Sequence, residues 1–170
     1  MNKLQKLIKD CNFSYANSDI TEEHFPKPKK LRKGKVIVYR PTLTDGIWTS
    51  NGVLKEIKEK GYTPLNVYEM IEWFKENKDT LEDYKWYLVF DSIWKDADGY
   101  RGVPCVCRDS DGDYGFGLGY FGHDWNDDFC LLLFCDGDSL DPKIPNSNAL
   151  TLDKAIEIVK EAEYKVIKEI

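Results

Sequence analysis

Apolar residues at Leu4, Leu7 and Ile8 recur at the i, i+3, i+4 spacing of one helix face and predict a short helix over 3–10. At that length a helix is marginal unless it packs against something. The periodicity then lapses. Residues 12–34 contain Pro26 and Pro28 and end in a lysine-rich stretch, which predicts an extended connector leading into a strand at 36–39. Val53, Leu54 and Ile57 restore the helical repeat over 50–60, with Thr49 or Ser50 placed to cap its start and Gly61 to stop it. A second helix is predicted over 66–77, where Asn66 and Glu69 form a capping-box pair and Val67, Met70, Ile71 and Phe74 form the apolar stripe. So short a link at 61–64 predicts that the two helices pack as a pair.

Beyond residue 83 the period changes to that of strands. Residues 86–90 are rich in β-formers, and 103–107 and 114–121 bracket a polar Asp-Gly turn at 109–113, which reads as a hairpin. The unbroken apolar run 130–135 predicts a strand covered on both faces. A loop at 136–148, a helix at 151–162 and an edge strand at 164–167 complete the pattern. The fold expected is a single α+β domain over 1–170, with a mixed or mainly antiparallel sheet and three or four packed helices. Within it, residues 1–34 form the helix and basic connector, and 35–170 the globular body.

Composition changes this picture little. Hydrophobic and aromatic shares of 42% and 14% supply enough apolar surface to fold. No run approaches the roughly 18 apolar residues of a membrane span. The amphipathic N-terminus lacks a secretory apolar core, so a cytoplasmic location is expected. Five cysteines, an odd number, are expected as reduced thiols, with no zinc-like spacing among them. Charge is unevenly distributed: residues 1–60 carry +6 and residues 61–170 carry −12. The basic cluster Lys27, Lys29, Lys30, Arg32, Lys33 and Lys35 suits phosphates, but the acidic remainder would repel a duplex, so nucleic acid is not the expected partner.

The candidate chemistry lies between residues 108 and 141, which hold nine aspartates and six glycines. Gly115, Gly117 and Gly119 fall on one face of a strand, which predicts a large ring, Trp125 or Trp94, packed against a bare backbone. Asp109, Asp111 and Asp113 have the alternation of a calcium loop, but the positions that need glycine and glutamate are Tyr114 and Tyr120, so an EF-hand is excluded. A looser calcium or magnesium site stays open beside the plainer reading of a solvated turn. His24 and His123 offer little for catalysis, and no Walker loop, nucleophile elbow or His-Glu-x-x-His motif is present.

Trp125-Asn126-Asp127 followed by Cys130 resembles the Trp-Asn-Asp segment of C-type lectin-like domains, over about fifteen residues. That resemblance implies calcium ligation by Asn126 and Asp127. More broadly, Glu23-His-Phe-Pro26, Gly61-Tyr-Thr-Pro64 and Asp124-Trp-Asn-Asp127 are similar to blocks of a family of small bacterial and mobile-element proteins without an assigned activity, which implies one continuous domain and no mechanism.

The function expected is therefore a non-catalytic binding module. Tyr120, Phe121 and Trp125 would supply apolar contact, and His123, Asp124, Asn126, Asp127 and Asp128 a polar, acidic rim for a protein partner with a basic surface. Three alternatives remain. The first is calcium-dependent sugar binding through the 109–128 loops, with Asp109, Asp111, Asp113, Asn126 and Asp127 as ligands; the others are an acidic mimic of nucleic acid and a Cys-His enzyme. Calcium apart, no cofactor is expected.

Overall fold

A computed structural model describes residues 3–135, which fall within the first of two compact units, residues 1–138. Its elements run α1 (Lys3–Asp10), β1 (Tyr15–Ala16), β2 (Lys35–Tyr39), β3 (Trp48–Thr49), α2 (Ser50–Glu59), β4 (Tyr62–Pro64) and α3 (Val67–Asn77). After a 3-10 turn at Lys78–Thr80 come β5 (Trp86–Leu88), β6 (Trp94–Lys95), β7 (Arg101–Arg108), β8 (Tyr114–Tyr120), β9 (Asp124–Trp125) and β10 (Phe129–Cys135). The α+β class is as expected, and strands dominate it. The helix predicted at 151–162 and the strand at 164–167 lie outside the described residues.

The main sheet has the order β1-β8-β7-β5-β10-β2, with β6 beside β7. It is mixed: β1 runs parallel to β8 and β5 parallel to β10, while the other pairings are antiparallel. β10 is its axis. One edge of β10 pairs with β2, and the other pairs with β5 at residues 129–131 and with β4 at 133–135. Successive side chains of a strand point to opposite faces, so Cys130, Leu132 and Phe134 enter one core cluster and Leu131 and Leu133 another. The apolar run at 130–135 is thus explained by a layer on each side of the sheet.

Both predicted helices form where local chemistry places them. Thr49 Oγ1 accepts the Gly52 N–H at the start of α2, and Asn66 and Glu69 make the reciprocal capping box of α3. Gly61, at φ +71°, takes the left-handed conformation that ends α2. Their packing differs from the expectation. Val53 and Ile57 of α2 lie in one core cluster, while Val67, Met70, Ile71 and Phe74 of α3 lie in the other, so the helices bury their stripes on opposite faces of the sheet. The physical reason is β4: residues 62–64 are not a free link but a strand hydrogen-bonded to β10, and the chain passes through the sheet between the two helices.

The connector also differs. Residues 12–34 are irregular but not detached, since Ile20 and Phe25 are buried in the same cluster as Leu4 and α3. The Tyr68 hydroxyl donates to Phe25 O at 3.0 Å. Arg32 donates to Glu69 Oε2 at 2.6 Å, to Asp91 at 2.8 Å and to Pro64 O at 2.8 Å, which pins the connector across α3 and β4.

Candidate functional site

The strand β9 pairs with β3 in the register Trp48↔Trp125 and Thr49↔Asp124. This small ladder sets the two indoles side by side, with Trp125 over the glycine face of β8. Trp48 and Trp125 stack at 5.5 Å, and Phe129 meets Trp125 edge-on at 4.8 Å. A methyl group added at Gly119 would lie 2.8 Å from Trp125 Cη2, and one added at Gly117 would lie 3.8 Å from Trp86 Cζ3. The glycine alternation therefore admits Trp125 as expected, with Trp86 beside it rather than Trp94, which packs near Gly102.

Trp125 itself is 1% exposed. Its Nε1 donates to Ser50 Oγ at 2.8 Å, and that hydroxyl donates to Phe121 O at 2.5 Å, so a buried indole N–H, which needs a partner, has one. Phe121 is buried as well, with the Arg101 guanidinium 4.4 Å above its ring. The expectation that Trp125 and Phe121 offer surface contact is corrected: both close the core.

Tyr120, His123, Asp124, Asn126 and Asp127 are exposed. Asp128 is only partly so, and its carboxylate takes Lys85 Nζ at 3.2 Å. Asn126 Oδ1 accepts the Asp128 N–H at 3.0 Å and its amide donates to Asp128 Oδ2, so Asn126 shapes its own turn. That leaves Asp124 and Asp127 as the carboxylates of this loop without an ion pair among the described residues. At the C-terminal end of β8, away from Asp127, stands a residue the sequence reading missed. Tyr100 stacks on Tyr120 with ring centroids 5.1 Å apart and planes 16° apart, and the two are 36% and 46% exposed. The hairpin turn contained the signal: counting outward from 109–113 sets Gly102 opposite Tyr120, with Tyr100 just beyond it.

No family model, no curated protein and no solved structure matches this chain.

The residues of the cation alternative do not come together. Asp109 Oδ1 accepts the N–H groups of Asp111 at 3.0 Å and Asp113 at 2.9 Å, with Gly112 at φ +86° completing the turn. Asn126 and Asp127 precede β10, which β5 separates from β7 and the 109–113 turn, and the Asn126 side chain is spent on Asp128. Among the described residues no three His, Cys, Asp or Glu side chains gather as metal ligands.

The histidines and thiols are likewise engaged elsewhere. His24 stacks on Trp94 at 4.4 Å with Nδ1 2.7 Å from Asp19 O, and His123 meets Trp125 edge-on. Burial pushes the thiols of Cys105 and Cys130 up to about 12. Both are therefore protonated near neutrality, the opposite of an activated nucleophile. Cys105 and Cys130 should resist iodoacetamide at pH 8 in the folded protein and react only in denaturant, as peptide mass mapping would read. Rapid native labelling of either would contradict their burial.

Proposed function

We propose that the chain is a non-catalytic binding module whose contact surface is the Tyr100–Tyr120 pair with Asp124, and whose partner is a protein with a basic surface. The stacked, exposed tyrosine pair carries this reading. Tyrosine offers a large rigid apolar face with a polar tip, and aromatic anchors rimmed by charge dominate many interfaces. Asp124 adds charge that steers a basic partner and makes its arrival salt-dependent. The indoles of Trp48 and Trp125 act behind the surface, because their packing fixes the loop that displays this carboxylate.

An array of lysine- and arginine-rich peptides tests the proposal. Tyr120→Ala should lower retention by about tenfold or more, in the range of an interface hot spot, while costing roughly 1 kcal/mol or less of stability, the worth of one exposed aromatic pair. Replacement of Asp124 by asparagine should flatten the salt dependence. Retention that survives both changes would remove the tyrosine face from consideration.

A further inference from the structure

A second polar site lies on the face of the sheet that carries α2. Thr44 and Ile47 exchange backbone hydrogen bonds at 2.8 and 3.1 Å around Asp45 and Gly46, whose φ values of +53° and +82° fit a type I′ hairpin turn. This small hairpin and the N-terminal half of α2 enclose a cleft of about 320 Å³ lined by Thr42, Thr44, Ile47, Thr49 and Glu56. That volume suits a small molecule.

Glu56 is held in an unusual way. Its Oε1 accepts all three of its donors: the Tyr39 hydroxyl, Lys60 Nζ at 3.0 Å and Thr42 Oγ1 at 3.2 Å. Burial works to raise this carboxyl, but the hydrogen bonds from Tyr39 and Lys60 outweigh burial and hold it below the usual carboxylate range. Oε2 and the Thr44 hydroxyl have no partner among the described residues. The cleft thus offers a fixed, ionised acceptor, hydroxyls that both donate and accept, and the half-exposed side of Ile47. Lys60 pairs with Glu56 and balances its charge, so the site as a whole is neutral.

We propose that this cleft binds a small neutral polyhydroxylated molecule, a monosaccharide or polyol, with Glu56 Oε2 as the oriented acceptor. One ligand hydroxyl donates to Oε2, a neighbouring one exchanges a hydrogen bond with Thr44, and the C–H face of the ligand rests on Ile47. No cation takes part, and the tyrosine face plays no role.

Backbone amide shifts of the whole chain, titrated with methyl β-D-glucopyranoside and with xylitol, test it. Saturable shifts centred on Thr44, Ile47, Thr49 and Gly52 are expected, with a Kd in about the millimolar range. Glu56→Gln should weaken this at least about tenfold, because the three donors keep the amide oxygen at the Oε1 position and turn an –NH₂ toward the ligand. Thr44→Val, which removes no hydrogen bond of the free protein, should weaken it several-fold and keeps the test independent of any rearrangement around Tyr39. Absence of saturation by either polyol up to about 100 mM, or undiminished binding in both variants, overturns the proposal. Tighter saturation of the same amides by propylammonium overturns the neutral ligand class.

Discussion

Replacing Trp125 by alanine should lower the unfolding free energy by about 3–5 kcal/mol, the cost of truncating a large buried aromatic side chain. For a domain whose total stability is roughly 5–15 kcal/mol, this is enough to unfold a sizeable fraction near physiological temperature. The change vacates the space between Trp48, Phe90 and Phe129 and deprives the Ser50 hydroxyl of its donor. Urea denaturation followed by circular dichroism would measure it. Gly119→Ala presses on the same indole from the other side, with its new methyl 2.8 Å from Cη2, and should cost about 1–3 kcal/mol as overpacking. Because the two residues share one contact, Trp125→Phe combined with Gly119→Ala should cost less than the sum of the single changes. A loss below about 1 kcal/mol for Trp125→Ala, the size of an ordinary surface effect, would mean that the indole does not close this core.

Arg32→Met should cost about 2–4 kcal/mol. Removing one partner of a buried pair costs roughly 3–5 kcal/mol, and the lower figure allows for Arg32 being 37% exposed while Glu69 is 3% exposed. Burial works to raise the Glu69 carboxyl, and the Arg32 guanidinium together with the N–H groups of Asn66 and Arg32 outweighs burial and brings it below its ordinary value of 4.5. A carboxylate whose folded pKa is depressed stabilises the fold above its unfolded pKa, and the contribution disappears as pH falls through the folded value. Wild type should therefore exceed Arg32→Met in urea midpoint at pH 7, and the gap should shrink progressively below about pH 4.5. A gap constant from pH 7 to pH 3 would show that the guanidinium acts through packing alone.

Helix boundaries were legible because they rest on neighbours in sequence: Thr49 reaches Gly52, and Asn66 reaches Glu69. The side of the sheet each helix occupies was not legible. That depends on residues 62–64 pairing with 133–135, and a three-residue strand with a proline in it carries almost no periodic signal. The connector misled for a related reason, since Cys11, Ile20 and Phe25 are buried at irregular spacing by partners far along the chain. At the candidate site, the glycine alternation correctly announced a ring against bare backbone. Which aromatics stay outside was decided by the register of β3 with β9, which joins residues more than seventy positions apart, and so Trp125 turns into the core while Tyr120 stays exposed as expected.

The two-residue strand β1 has a protective consequence. It runs parallel to β8 and pairs Tyr15 with Gly115, while Ser14 and Asn17 donate to the carbonyls of Tyr114 and Phe116. Without it, a glycine-rich strand would present its free carbonyl and amide row to other chains, and such a flat, lightly decorated edge is a template for intermolecular pairing. A chain shortened to begin at Lys35 would lose this guard together with the clamp at Arg32, and should precipitate on concentration even where the remaining sheet still forms.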